Sequence, residues 1–208
     1  MLIPIYSISK KYNLRNKIRG ILHIGAHECE EKNDYEKLGI TNVYWVEGLS
    51  YKVKMMKEKF ENLKIYHAVV SDKDDEEVVL KIANNGQSSS ILELGTHKQK
   101  HPEVHYIGEE SCKSKTLGRL IKEEKINMDN VNFLNLDIQG VELRALKGME
   151  EYLNKVDYIY TEVNVDYLYV DCCLMKEIDE YLSGFGFRRA ETKIYGDAGW
   201  GDAFYIKS

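Results

Sequence analysis

Two apolar runs of this 208-residue chain close on carboxylates: Val43-Tyr44-Trp45-Val46-Glu47 and Val131-Asn132-Phe133-Leu134-Asn135-Leu136-Asp137. A third run, Val156 to Val163, carries Glu162 near its end, and an earlier one, Ile21-Leu22-His23-Ile24, runs into the small residues Gly25 and Ala26. A small-residue turn after one strand, with an acid at the end of the next strand about 20 residues on, is how a doubly wound sheet holds a ribose. The turn needs small residues so that backbone can approach a ligand, and Glu47 can accept hydrogen bonds from both ribose hydroxyls. Taken alone, the segment also fits an ordinary buried strand and turn with a surface glutamate.

The rest of the turn decides between cofactors. A dinucleotide loop usually reads Gly-x-Gly-x-x-Gly, whereas this one reads Gly25-Ala26-His27-Glu28-Cys29-Glu30. Glu28, Glu30 and Glu31 would place negative charge where a diphosphate must sit. S-adenosylmethionine suits the loop better, because it has a ribose, no phosphate, and a sulfonium and an ammonium that tolerate carboxylates. A nicotinamide-dependent oxidoreductase is the competing enzyme reading, and a catalytically silent nucleoside-binding scaffold the non-enzyme one.

Around these residues the chain alternates strands with helices. Helices are expected over 30–38, 50–63, 117–125, 141–153 and 172–182, and strands over 42–47, 65–70, 131–137 and 156–163. Residues 77–83 and 90–94 read as a small β-hairpin insertion around Asn84-Asn85-Gly86-Gln87, and the last strands as a terminal antiparallel hairpin with its turn near 197–199. Ser71 and Asp72 follow the third strand, at the level expected for an adenine. The polar segment 84–115 reads as a lid or substrate loop. Its His97, His101 and His105 have helical spacing, but Pro102 interrupts the helix, which argues against a metal site there.

Composition bounds the rest. With 43% apolar residues the chain suits one α/β domain over 1–208, with 1–19 as an N-terminal extension. A net charge of −5 gives no general footprint for nucleic acid. The basic cluster Lys10, Lys11, Arg15, Lys17 and Arg19 reads as a solvated helix face. No apolar run is long enough for a membrane span, and the first residues do not read as a secretory signal, so a cytoplasmic protein is expected. Cys29, Cys112, Cys172 and Cys173 lack metal or redox spacing and are expected as free thiols.

The segment Asp137-Ile138-Gln139-Gly140-Val141-Glu142, followed by Leu146-Lys147-Gly148, resembles the FkbM family of S-adenosylmethionine-dependent O-methyltransferases. Gly25-Ala26-His27 with Glu30-Glu31, the stretch Ala68 to Asp72, and Gly86-Gln87-Ser88-Ser89-Ser90 resemble it in the same order. The chain departs from the family pattern at His23, where an acid is common, at Cys29, where a glycine is frequent, and at Gly48-Leu49-Ser50, where a proline is common. The resemblance implies a Rossmann-like class I methyltransferase fold with a mostly parallel seven-stranded sheet. It implies cofactor contacts at His23, Gly25, Ala26, His27, Glu30, Glu47, Ser71, Asp72, Asp137 and Gln139. The methionine end would lie by Gly25, Ala26 and His27, and Asp137 near the amino group and the reacting methyl. The implied acceptor is a saccharide or glycoconjugate, with association with a glycosyltransferase left open.

Methyl transfer from a sulfonium is an in-line displacement, so the protein must align an acceptor oxygen and help remove its proton. Asp137 is the first choice as base and Glu162 the second. Glu142 starts a helix, where a hydrogen-bond anchoring role explains it equally well. A divalent ion on Asp137, Glu162 and Asn164 is the minority alternative, and no metal site is assigned. Gln87, Ser88, Ser89, Asn164, Tyr167 and Tyr169 are the candidate acceptor contacts. Tyr195 and Trp200 are further candidates for an apolar wall.

Overall fold

The computed structural model describes residues 1–208, apart from the side chain of Glu150. Chain order is α1 (Ile5–Lys11), β1 (Ile21–Ile24), α2 (Lys32–Lys37), β2 (Val43–Glu47), α3 (Ser50–Lys59), β3 (Ile65–His67), β4 (Val69–Val70), β5 (Glu77–Ala83), α4 (His97–Lys100) and β6 (Tyr106–Lys115). Then come α5 (Leu117–Glu123), β7 (Phe133–Leu136), α6 (Glu142–Lys147), β8 (Tyr158–Asn164), α7 (Met175–Ser183), β9 (Phe187–Ile194) and β10 (Trp200–Lys207).

Seven strands form the main sheet in the order β3-β2-β1-β7-β8-β10-β9. All pairings from β3 to β8 are parallel, and β10 runs antiparallel to both β8 and β9. This is the α/β, Rossmann-like class I methyltransferase arrangement. The strands are buried on both faces, so alternate residues feed two cores. Leu22, Ile24, Leu134 and Leu136 face a cluster with Leu120 of α5, Leu146 of α6 and Ile178 of α7. Ile21, Trp45, Phe133 and Phe204 face the other, with Ile5 of α1, Tyr35 of α2 and Met56 of α3. Helix ends follow local chemistry: Thr116 Oγ1 accepts Arg119 N–H at the start of α5, and Gly39 takes φ 79° just after α2.

Three expectations are corrected. Residues 65–70 form two strands: Ala68 donates its N–H to Glu47 O, after which β4 leaves the main sheet and pairs with β6. The insertion is a three-stranded sheet, β4-β6-β5, in which β5 pairs with β6 rather than with 90–94. Ser90 makes a single bridge to Lys81 and Leu94 one to Tyr169. The segment read as one loop over 84–115 ends in a strand, 106–115, whose polar, largely exposed sequence hides its period. The helix read over 141–153 stops at Lys147, then resumes as a 3-10 turn over Glu150–Lys155. At the break a Cβ on Gly148 would lie 2.6 Å from Ser71 O.

Candidate active site

A cleft of about 610 Å³ opens at the carboxyl ends of the strands, where β1 is flanked by β2 on one side and β7 on the other. β1 and β7 are neighbours, and the chain leaves them in opposite directions, towards β2 and towards β8, which makes the gap that doubly wound sheets use for ligands. Gly25 sits at φ 87°, and its ideal Cβ would fall 1.8 Å from the carbonyl oxygen of Asp137. The loops after β1 and β7 thus meet main chain to main chain. Gly25 and Ala26 also donate both N–H groups to Val46 O, at 2.9 Å each, which ties the same turn to β2.

Glu47 ends β2 on the cleft wall. His27 N–H donates to Oε2 at 2.7 Å and Leu49 N–H to Oε1 at 2.8 Å, so each oxygen is fixed by backbone yet keeps lone-pair capacity. Burial raises the Glu47 pKa, and the two N–H bonds oppose the rise. His27 has φ 45°, and its Nδ1 lies 2.5 Å from Glu30 Oε1. Burial works against the Glu30 charge, but the His27 contact and backbone N–H bonds outweigh it and hold the pKa at about 2. His23 is buried against Trp45, with rings 4.7 Å apart. Burial pushes its pKa down to about 4, so a neutral ring occupies that place.

The other end of the cleft gathers three carboxylates. Asp137 follows β7, Glu162 lies in β8, and Asp202 of β10 stands directly opposite Glu162 in the antiparallel register. Gln139 Nε2 donates to Asp137 Oδ1 at 2.7 Å and to Glu162 Oε2 at 3.0 Å. Tyr169 hydroxyl donates to Gln139 Oε1 at 2.6 Å, which fixes the amide orientation. Asp202 accepts from the Tyr160 hydroxyl and from Leu2 N–H. Burial, then the Asp202 charge, lifts the Asp137 pKa to about 6. Burial and the neighbouring Asp137 carboxylate lift Glu162 well above its ordinary value, and burial raises Asp202. Glu30, Glu31, Glu47, Glu103, Asp137, Glu162 and Asp202 all line the cleft, and among the described residues no lysine or arginine does. Such a wall retains protons and favours cations.

Several candidates lie elsewhere. Glu142 is fully buried off the cleft lining, where it accepts N–H bonds from Ile138 at 3.0 Å and Gly140 at 3.1 Å. Burial lifts its pKa to about 7 against those bonds, and it braces the loop that carries Asp137 and Gln139. Ala26 is core. Ser71 and Asp72 bond each other off the lining, at 3.1 Å, and Ala68, Val69 and Val70 line the cleft at that level. Gln87, Ser88 and Ser89 do line it, and Ser90 Oγ anchors their loop by donating to Gln139 O at 2.8 Å. Tyr169 lines the cleft while its ring is core, whereas Tyr167 is exposed outside the lining. Asn164 is fully buried outside it, with neither amide atom partnered. Tyr195 and Trp200 line the cleft with rings 5.3 Å apart.

Sequence reasoning missed Asp202, His97 and His101 as cleft residues. A carboxylate interrupting the apolar final strand was a readable signal for Asp202, whereas the histidines were weighed only as metal ligands. Among the described residues no group of three or more His, Cys, Asp or Glu is placed to hold a metal ion. All four cysteines are free. No described helix is long and apolar enough to cross a membrane.

Several solved structures are similar at low identity. A SAM-dependent methyltransferase from Aquifex aeolicus is 11% identical, with 100% of this chain and 91% of that one covered and a TM-score of 0.46. TrmK of M. capricolum, solved with S-adenosyl-homocysteine, is 11% identical over 95% and 67% of the chains, with a TM-score of 0.49. Magnesium protoporphyrin IX methyltransferase from Synechocystis, with bound SAM, is 9% identical over 98% and 78%, with a TM-score of 0.49. A search of curated protein sequences returns no match. The family model for the methyltransferase FkbM domain matches residues 23–189, most of the chain, and on that match the chain belongs to the FkbM methyltransferase family.

Proposed function

We propose that this chain is an S-adenosylmethionine-dependent O-methyltransferase that methylates a sugar hydroxyl of a glycan. The observation that carries the cofactor reading is the cleft wall, which joins a backbone-pinned Glu47 to a carboxylate-rich lining without lysine or arginine. A phosphate-bearing nicotinamide cofactor would meet repulsion on that wall, whereas a ribose, a sulfonium and an ammonium match it. Glu47 would hold the ribose hydroxyls. Gly25 keeps side-chain bulk out of the turn. Asp137, whose charge lacks a basic partner in the lining, would face the cationic part of the ligand. Bound S-adenosylmethionine supplies an electrophilic methyl group.

The chain's own residues then have two tasks. One is alignment: Gln139 fixes Asp137 and Glu162 relative to each other, and Tyr169 fixes Gln139. The other is proton removal, for which Asp137 is the first candidate because its pKa of about 6 suits a base working near neutrality. Glu162, whose pKa burial and the Asp137 charge raise well above the ordinary carboxylate value, is the second candidate for the base. Tyr195 and Trp200 supply aromatic surface for a sugar ring. The family likeness supports the saccharide class.

Calorimetric titration with S-adenosylmethionine, S-adenosylhomocysteine and NAD tests the cofactor. Micromolar binding of the first two, lost in Glu47→Ala, is expected, and binding of NAD alone would overturn the reading. Labelled methyl transfer to a glycan panel, unchanged in excess EDTA, is the companion result for the acceptor and for a metal-free reaction.

A further inference from the structure

We propose that His97, with His101 beside it, binds the acceptor in this cleft, and that the acceptor is a polyhydroxylated molecule carrying no negative charge. The proposal rests on the methyltransferase reading above and narrows its substrate class. His97 opens α4 on the lid segment and lines the cleft, yet it is only 6% exposed and its Nδ1 has no hydrogen-bond partner. His101 lies in the same lining, one turn on, and its Nε2 is also buried without a partner. The two rings are 4.8 Å apart.

A buried nitrogen without a partner is unusual, and two on one cleft wall point to a group that the protein itself does not supply. Their surroundings say what kind. The His97 ring lies 5.4 Å from the ring of Tyr169, whose hydroxyl holds the Gln139 amide that bridges Asp137 and Glu162. The imidazole therefore stands one aromatic ring away from the carboxylates. Burial, with His101 adding to it, lowers the His97 pKa, so the ring is neutral near pH 7 and offers a lone pair to an O–H donor. The groups that act on it are His101 and Glu103 from the lid and Tyr169 from the segment after β8. Lys100 of the same helix is paired with Asp166 at 2.8 Å.

Two histidines alone do not make a cation site. Among the described residues no group of three or more His, Cys, Asp or Glu is placed to hold a metal ion, and His97 and His101 belong to none. A carboxylate or phosphate on the acceptor would meet the acidic wall and find neither lysine nor arginine in the lining. Hydroxyls meet the neutral His97 imidazole and the unpartnered Nε2 of His101, and an ammonium would meet carboxylates. Neutral and amino sugars fit, whereas uronates and phosphorylated sugars do not.

The test is titration of the protein saturated with S-adenosylhomocysteine, using methyl glucoside, methyl glucosaminide, methyl glucuronide and glucose phosphate as probes. Binding is read by calorimetry and by the imidazole proton signals, assigned through the variants. The expected result is binding of the neutral and amino glycosides with shifts in the His97 and His101 signals, and anionic glycosides weaker by about tenfold or more. His97→Phe keeps a ring without the nitrogen and should weaken the glycosides about tenfold, while His97→Asn, which restores a polar atom, recovers part of the loss. Unchanged glycoside binding in His97→Phe, a preference for anionic probes, or no glycoside binding at all would overturn the proposal. S-adenosylhomocysteine binding is measured in every variant: its retention shows an intact fold, and its absence from the wild type would defeat the methyltransferase reading instead.

Discussion

The two ends of the cleft hold their acids in opposite ways. Glu47 is gripped by main chain, one N–H on each oxygen, and a nearby salt link between His27 and Glu30 completes a locally satisfied turn. Asp137, Glu162 and Asp202 come from the ends or interiors of three strands and are held mostly by side chains, with the Gln139 amide bridging two of them and Leu2 N–H joining the Tyr160 hydroxyl on Asp202. The first arrangement is rigid and suits recognition of neutral hydroxyls. The second concentrates acids with no lysine or arginine in the lining and only the Met1 ammonium acting against their charge, so its protonation responds to what enters the cleft. On the proposed function, a binding end and a reacting end are thereby separated by how their carboxylates are satisfied, although the residue chemistry is the same.

The most severe way to break the contrast is Gly25→Val, which drives a side chain into the Asp137 carbonyl and strains a left-handed backbone position. A loss of more than about 3 kcal/mol is expected in urea unfolding, together with loss of ligand binding at both ends. Next, Asp137→Asn should lower methyl transfer by about 10²- to 10⁴-fold while S-adenosylhomocysteine binding changes by less than about tenfold. Turnover surviving in Asp137→Asn but lost in Glu162→Gln would transfer the base to Glu162.

The pH response comes third. Asp137 has a folded pKa of about 6, above its unfolded value, so the native state keeps a proton that the unfolded chain releases. Glu142, at about 7, acts in the same direction. Stability of the ligand-free protein should therefore fall as pH rises from about 4 to about 7, by on the order of 3 kcal/mol for Asp137 alone. In Asp137→Asn that part of the slope should vanish, which melting curves at stepped pH will read. The smallest effect sharpens the bridge: Tyr169→Phe removes one hydrogen bond to Gln139 and should cost about 1 kcal/mol in stability, with kcat falling more than cofactor affinity.

The binding end was legible in sequence because it is local. Gly25, Ala26 and Glu47 sit at the ends of consecutive strands, and the run before each is apolar enough to announce its strand. Asp137 and Glu162 were legible for the same reason. Asp202 shows in the sequence only as a carboxylate in an apolar strand, because its place beside Glu162 is a fact of antiparallel register between strands far apart in the chain. Strand β6 was missed because its exposed face carries glutamate, lysine and serine, and even Ile107 points outward, so the alternation that marks a half-buried strand is blurred. Glu142 read as a helix-start residue, and its three N–H bonds to Ile138 and Gly140 reach backward into the loop before the helix, a geometry that spacing alone does not specify.

Strands β5 and β6 bring Ala83 and Tyr106 face to face. The segment between them leaves and returns at one clasp, so its ends stay joined whatever its length or content, and doubling such a loop adds only about 0.6 kcal/mol of closure cost. That makes it a replaceable cassette. Of the proposed acceptor contacts, Gln87, Ser88, Ser89, His97 and His101 lie inside it, while Tyr195 and Trp200 lie outside with Gly25, Glu47 and Asp137. A lineage can rewrite what enters the cleft by changing this one excursion and leave the shared machinery untouched.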